Sequence, residues 1–171
     1  FLINPLMPFS QFNISIHHIT EQDVSSQPSF DELWPKISHV FDDTLVFAHN
    51  AGFDIAVLNA VLEKYNIEKP HFRFGCTVRL ARCLWPKEDI QNHRLHTVAG
   101  FLGVQFQHHH ALSDAMVLVD IINRGLKIYQ VDDVETLYHH CHLRFGLFSR
   151  NNLYQTHSVR QYNQKTPIVE N

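Results

Sequence analysis

The chain has 171 residues, of which 44% are hydrophobic and 18% charged, and its formal net charge is −3. This length suits one domain with a sizeable core, and the composition is that of a globular protein, not a disordered one. No apolar run approaches a membrane span, the first residues lack the pattern of a signal peptide, and the negative charge excludes a global positive field for nucleic-acid binding.

The cysteines and the first residue bear on where the protein works. Cys76, Cys83 and Cys141 form no CxxC pair, and their odd number argues against a disulfide framework. A cytoplasmic location is therefore expected. Phe1 is not an initiator methionine, and FLIN reads like the interior of a strand. We therefore expect the gene product to begin before Phe1.

The first forty residues are predicted to contain two extended segments and one helix. The extended segments are 1–4 (FLIN) and 12–19 (FNISIHHI). Ser29 and Glu32 form a capping box for a helix that runs towards residue 41 with apolar residues at helical spacing. Pro35 lies inside this helix and predicts either a kink or a later start of the helix.

Beyond residue 43, predicted strands alternate with predicted helices. Strands are predicted at 44–49 and 72–76, and helices from Asn50 to Asn66, at 77–84, at 95–102, at 111–129 and at 134–142. The apolar strand at 44–49 is predicted to be central and buried. This alternation predicts an α/β fold in which helices flank a mixed sheet.

Two of these helices carry apolar residues at helical spacing. In the first, Phe53, Val57, Ala60 and Val61 share one face. The helix at 111–129 is predicted to bury Leu112, Ala115, Met116, Val119 and Ile122.

The segment FAHNAGFD, at 47–54, runs from an apolar strand into a helix and places Asp54 in the first turn. A carboxylate at a helix start beside a sheet edge is a natural ligand for a hard cation. The alternative is that Asp54 only interacts with the helix dipole.

The segment HHHALSDA, at 108–115, places His109 in a loop and Asp114 early in the next helix. A loop histidine beside a metal-binding carboxylate is able to take a proton from an attacking water. Alternatives are a histidine loop that favours solubility, a carboxylate that interacts with the helix dipole, or a fortuitous zinc site at the three histidines.

Together, the two segments resemble the second and third motifs of the DEDDh exonucleases, His-Asn-Ala-x-Phe-Asp and His-x-x-x-x-Asp. This family includes the proofreading subunit of bacterial replicative polymerases, and its fold is RNase H-like. The linking segments CTVRLAR (76–82) and NHRLHTVAGFLGV (92–104) are also similar, so the resemblance covers about residues 1–130. The two motifs occur in the order and at the separation typical of the family, and each lies where a strand or loop enters a helix. Together they therefore indicate this family more specifically than either motif alone.

The resemblance implies metal-dependent 3′–5′ hydrolysis of nucleic-acid ends, with two Mg²⁺ or Mn²⁺ ions. Asp54 and Asp114 would bind metal, and His109 would be the general base. His49, Asn50 and Phe53 would lie near the terminal nucleotide, with Phe53 equally placed for the core. Single-stranded DNA or another nucleic-acid 3′ end is the expected substrate, with DNA favoured, a DNA polymerase or a fused helicase as partner, and no membrane.

The family's first motif, an Asp-x-Glu at the end of its first strand, has no counterpart before Leu45. Asp133 and Glu135 spell this motif at the wrong place, where Asp132 with Glu135 reads as a helix cap. The resemblance therefore implies an RNase H-like fold that lacks its first strand, and little or no activity from these 171 residues.

Two alternatives to an exonuclease remain open from the sequence. The chain is otherwise a non-catalytic module that binds nucleic acid or a partner, or a zinc-binding domain that uses HHCH at 139–142. The exonuclease domain is expected at 1–142 and a basic, aromatic extension at 143–171. This extension is predicted to follow a nucleic-acid backbone, to be a linker, or to lie over the core as a strand.

Overall fold

A computed structural model describes residues 1–104 and 111–150, and three strands in this part of the chain form one sheet. They are β1 (Leu45–Ala48), β2 (Phe72–Cys76) and β3 (Gly146–Phe148), with β2 in the middle. β1 runs parallel to β2, and β3 is antiparallel to it. The predicted α/β fold with a mixed sheet is confirmed.

Eight α-helices lie in the described part of the chain. They are α1 (Gln11–His17), α2 (Glu21–Val24), α3 (Phe30–Ile37), α4 (Ala51–Lys64), α5 (Thr77–Leu84), α6 (Leu95–Leu102), α7 (Ala111–Tyr129) and α8 (Val134–His140). A short 3₁₀ helix, Ser38–Val40, follows α3. No helix in the described ranges is both long and apolar enough to cross a membrane.

The extended segments predicted at 1–4 and 12–19 are wrong. Residues 1–4 form no strand, and the Asn4 N–H donates to the Pro28 carbonyl instead. Ser10 accepts a hydrogen bond from the Asn13 N–H and begins α1, which buries none of its residues. The polar cap determines this segment because no apolar face competes for burial.

The helix predicted after Ser29 is confirmed as α3. The Ser29 N–H donates to Glu32 Oε2 over 2.9 Å, which is one half of a capping box. Pro35 removes a donor from the last turn, and α3 ends two residues later at Ile37. The tighter 3₁₀ turn then carries the chain towards β1.

Helices cover both faces of the sheet because the side chains of a strand alternate. Val46 and Ala48 pack into one core with α3 and α4, together with Phe72, Phe74 and Phe148. Phe47 points to the opposite face and packs into a second core, built from α5, α6, α7 and α8. The sheet is therefore the middle layer between two helical layers.

The prediction that β1 is a buried central strand is wrong for the described sheet. β1 lies at one edge, and all four of its residues are partly exposed. Strand composition predicts that a segment is apolar, but the position of the segment in a sheet depends on its neighbours.

The predicted buried residues of α7 are also largely wrong. Leu112, Met116 and Val119 are 67%, 54% and 47% exposed. The buried stripe is instead Val117, Ile121 and Gly125. Gly125 has no room for a side chain, since an added Cβ would meet Leu137 at 2.9 Å. α7 is turned so that this small residue, not the larger apolar ones, faces α8.

The expectation that the cysteines form no disulfide is wrong for two of them. Cys83 in α5 and Cys141 directly after α8 are joined by a disulfide, with a Cα–Cα distance of 5.8 Å. They are 58 residues apart in the sequence, so no local pattern predicts their contact. Cys76 is a free, partly exposed thiol.

The first residues of the predicted C-terminal extension belong to the sheet. β3 pairs with β2, and Phe148 is only 1% exposed. Of the three alternatives for this segment, a strand on the core holds for 146–148. Residues 151–171 lie outside the described part of the chain.

Candidate active site

The turn between β1 and α4 places the second motif at the carboxyl end of β1. Asn50 adopts a left-handed backbone conformation with φ of 80°, which asparagine tolerates better than most residues. α4 begins at the next residue, and no side chain caps its N-terminus. The first turn of α4 therefore lies beside the end of the strand, where the Phe53 N–H donates to the Asn50 carbonyl.

His49 is held by hydrogen bonds at both ring nitrogens. Nε2 lies 2.9 Å from the His93 carbonyl oxygen and Nδ1 lies 3.0 Å from the Thr77 hydroxyl. Because a carbonyl only accepts, Nε2 carries the proton and Nδ1 accepts from Thr77. Burial lowers the pKa of His49, and the charge of nearby Arg82 contributes to this. The neutral ring connects β1, α5 and the loop before α6.

These contacts bear on the predicted place of His49 near the terminal nucleotide. With both nitrogens engaged by the protein, the ring supports the β1–α4 turn and has no free polar atom for a ligand. Thr77 and His93 were not identified from the sequence. They lie 28 and 44 residues away from His49, and no motif links them.

Asp54 lies in the first turn of α4, with its side chain exposed. The surrounding protein nevertheless removes enough water to raise the pKa of its carboxyl group, and a hydrogen bond from its own backbone opposes this rise. No cation balances this carboxylate among the described ion pairs. A divalent ion would supply the missing positive charge.

Phe53 is 66% exposed beside Asp54, so it is not a core residue. The structure thus excludes the alternative assignment and leaves an aromatic ring on the surface next to a predicted metal ligand. The buried residues of α4 are Ala51, Ile55 and Leu62 instead.

Asp114 lies in the first turn of α7, and its Oδ1 atom is buried without a hydrogen-bond partner in the structure. A buried acceptor left unpaired costs about 1–3 kcal/mol, so most such atoms in proteins have a partner. An anionic oxygen in this position suits a hard divalent cation. His109 falls in 105–110, outside the described residues, so its predicted role stays a prediction.

Asp54 and Asp114 come from opposite sides of the sheet. α4 packs on the face of Val46 and Ala48, and α7 packs on the face of Phe47, while both helices contact β1. Across residues 1–104 and 111–150, no group of three or more His, Cys, Asp or Glu side chains is arranged to hold a metal ion. The oxygen ligands fit Mg²⁺ or Mn²⁺, but the two carboxylates do not complete a centre by themselves.

The Asp-x-Glu at 133–135 has a structural role. Asp133 caps α8 by accepting from the Thr136 N–H over 2.8 Å, and Glu135 forms an ion pair with Arg73. The rejection of this pair as ligands agrees with these contacts, although the cap is Asp133 and not the predicted Asp132. The alternative of a zinc site at HHCH, 139–142, is weakened, because the disulfide removes Cys141 as a thiolate ligand.

Comparison with known proteins places the chain in a family. A family model for the RNase T type, described as exonuclease, matches residues 1–122. This chain belongs to the DEDDh-type exonuclease family. A PolC-type DNA polymerase III from Bacillus cereus is 32% identical in an alignment of 140 residues that covers 76% of this chain and 10% of that protein.

Two further relatives extend this finding. A PolC-type DNA polymerase III from Caldanaerobacter subterraneus is 30% identical over 129 residues, which are 75% of this chain and 9% of that protein. A solved structure of exonuclease X in complex with 5′ overhanging duplex DNA matches with a TM-score of 0.55 and 28% identity, covering 72% of each chain. The predicted RNase H-like fold class is thereby supported. The chain spans about a tenth of the length of the polymerase relatives.

Proposed function

We propose that this exonuclease is metal-dependent and hydrolyses phosphodiester bonds from nucleic-acid 3′ ends, with DNA as the substrate. The observation that carries the proposal is the buried, unpartnered Oδ1 of Asp114 within the His-x-x-x-x-Asp segment. A cation at this oxygen would remove the cost of leaving it unpaired.

Each predicted site residue has a distinct part in this proposal. Asp54 and Asp114 would hold Mg²⁺ or Mn²⁺, which lowers the pKa of a bound water and stabilises the leaving oxygen. His109 would take the proton from the attacking water. Phe53 would pack against the terminal sugar or base. His49 positions the turn that carries Asn50 and Phe53.

The DNA preference and the partners rest on the relatives. The matched polymerases are DNA polymerases by name, and the matched exonuclease X structure contains DNA. We therefore propose a single-stranded DNA 3′ end as the substrate and a DNA polymerase or a fused helicase as the partner. The disulfide between Cys83 and Cys141 removes the argument from the cysteines for a cytoplasmic location. The 1–142 exonuclease domain with a 143–171 extension remains a proposal, with β3 as an addition to the sheet.

These 171 residues alone are expected to hydrolyse DNA weakly or not at all. No Asp-x-Glu precedes Leu45 in the sequence, and two adjacent divalent ions repel strongly unless enough anionic ligands surround them. The comparison that tests this uses a single strand with a labelled 3′ end and Mn²⁺. The chain is measured beside a version extended by a first strand that ends in Asp-x-Glu.

The extended version is expected to release labelled mononucleotides, and His109→Ala is expected to slow it about 10²–10⁴-fold. His108→Ala and His110→Ala are matched controls, because they alter the same histidine run without removing the proposed base. Equal rates in all three variants would refute His109 as the base, and release from the 5′ end only would refute the proposed function. Equal His109-dependent rates with and without the added strand would refute only the expectation of weak activity.

The non-catalytic alternative has one specific observation in its favour, which is the exposed Phe53 ring. Aromatic rings on surfaces stack on bases without any chemistry. An extended version that binds single strands and never hydrolyses them, with Mn²⁺ present, would establish this alternative.

Phe53→Ala is expected to weaken the binding of a short single strand about tenfold, since stacking of one base contributes about 1–3 kcal/mol. Fluorescence anisotropy in EDTA measures this binding without hydrolysis. Val57→Ala is the matched control, because Val57 is also apolar, lies one turn further along α4 and is 47% exposed. An equal loss in both variants would mean that the α4 surface binds nonspecifically and that Phe53 has no special part.

A further inference from the structure

A small cavity of about 110 Å³ lies between the start of α4 and the chain that enters β3. Its polar lining comes from Asn50, Cys76, Arg79, Tyr138 and Arg144, with Gly52 beside them. Pockets for drug-sized ligands have volumes of about 300–1,000 Å³, so this cavity suits a small group and not a whole nucleoside. It is separate from Asp54 and Asp114, neither of which lines it.

Among the described residues, the cavity has two positively charged side chains and no negatively charged one. Arg79 from α5 and Arg144 from the segment before β3 both line it, and no Asp or Glu does. Neither arginine takes part in an ion pair of the described structure, whereas Arg73 and Arg150 are paired with Glu135 and Glu68. Two guanidinium groups at one cavity repel each other, and an anion bound between them would remove this cost.

The rest of the wall is largely apolar, with Ala51, Phe74 and Leu143, and the two arginines supply its charge. The Tyr138 hydroxyl donates to the Cys76 carbonyl at 3.3 Å, and the charge of Arg79 is close enough to oppose the rise that burial causes in the pKa of Tyr138. An added Cβ at Gly52 would meet nothing within 4 Å, so a ligand has free access to the backbone there. Anionic oxygens would therefore meet the two guanidinium groups, neither of which is used in a described ion pair.

We propose that this cavity binds a phosphate group of a nucleic-acid strand, with Arg79 and Arg144 as its ligands. Guanidinium groups bind phosphate oxygens in bidentate fashion, which favours phosphate over a simple halide ion. Gly52, at the cavity, directly precedes Phe53 and Asp54, so a phosphate held here would fix the strand beside the proposed active site. The identity of the strand rests on the proposed function, but phosphate binding does not.

Binding measured in EDTA tests the cavity without hydrolysis. The probes are inorganic phosphate, thymidine monophosphate and a dT₁₂ strand, followed by amide NMR shifts and, for the strand, by anisotropy at several salt concentrations. We expect the Gly52 amide to shift with phosphate and with dT₁₂. Arg79→Gln and Arg144→Gln should each weaken dT₁₂ binding and lower its salt slope by about 0.7, the value for one phosphate contact on a single strand.

Arg124→Gln is the control, since Arg124 is an exposed cation of α7, outside the cavity and without a described ion pair. It should leave the salt slope unchanged. Arg144 is itself exposed, so its variant is expected to fold, and a melting curve checks this.

The outcomes separate this proposal from the proposed function. Unchanged dT₁₂ affinity and salt slope in the Arg79→Gln/Arg144→Gln double variant would overturn the proposal that the cavity binds phosphate, whatever the hydrolysis assay shows. Binding of phosphate or mononucleotide without any effect of dT₁₂ on Gly52 would overturn the strand as its source. An arginine-dependent dT₁₂ effect in a protein that never hydrolyses DNA would support the cavity and contradict only the exonuclease proposal.

Discussion

Replacing Asp114 by asparagine is expected to lower Mn²⁺-dependent hydrolysis about 10³-fold or more. The metal ion that this carboxylate would hold stabilises the charge of the transition state by several kcal/mol. Each loss of about 1.36 kcal/mol lowers the rate about tenfold. Asparagine keeps the shape of the side chain but removes the negative charge from the buried oxygen. Rates are measured with a 3′-labelled single strand in the version that carries the added Asp-x-Glu strand.

A second measurement shows whether Asp114 acts through metal. Paramagnetic broadening by Mn²⁺ is expected at the amides around Asp114 in the 171-residue chain and should disappear in Asp114→Asn. Asp120→Asn is the matched control, because Asp120 lies on the same helix in a partly buried position. Asp54→Asn should reduce the broadening near α4 in the same way.

The melting temperature of the metal-free protein distinguishes a structural role from metal binding. The buried Oδ1 of Asp114 gains no hydrogen bond in the metal-free protein, so Asp114→Asn should melt close to or above the temperature of the parent. A clear fall in melting temperature, with broadening by Mn²⁺ unchanged, would contradict the assignment of Asp114 as a metal ligand.

The largest expected effect on stability comes from the disulfide between Cys83 and Cys141. Closing a loop between residues 58 apart restricts the unfolded chain, and the loop-closure relation gives about 4 kcal/mol. The double variant Cys83→Ala/Cys141→Ala should therefore melt about 8–15 °C lower, since about 1 kcal/mol corresponds to 2–4 °C at this size. Reduction of the parent protein should have the same effect.

Differential scanning calorimetry with and without a reductant measures this change. Cys76→Ala is the matched control, because Cys76 is a free thiol and its replacement should leave the response to reductant intact. If the parent protein shows two further free thiols by mass spectrometry under non-reducing conditions, and the double variant melts unchanged, the disulfide makes no contribution in solution.

Local features were predictable from the sequence wherever neighbouring residues determine them. The Ser29–Glu32 interaction, the end of α6 at Gly103 and the strand–helix change at Asn50 all depend on contacts within a few residues. The two motifs were recognisable for the same reason. Asp54 lies in the first turn of α4 and Asp114 in the first turn of α7, so each motif is a short continuous segment at the start of a helix.

Burial was less predictable because apolar spacing does not show which apolar stripe faces the core. α7 carries apolar residues around much of its surface, and the close approach of Leu137 at Gly125 determines which stripe is buried. In the same way, an apolar composition marked β1 as a strand but did not show that it lies at the edge of the described sheet.

The sequence by itself determined the family and the α/β class, and it predicted the two carboxylates of the proposed metal site, since these depend on short motifs in a fixed order. Only the tertiary structure decided the partners of His49, the disulfide, the unpartnered oxygen of Asp114 and the convergence of Arg79 and Arg144. Each of these features depends on how distant segments pack around the sheet. Contacts of that kind have no periodicity or spacing in the chain from which they could be predicted.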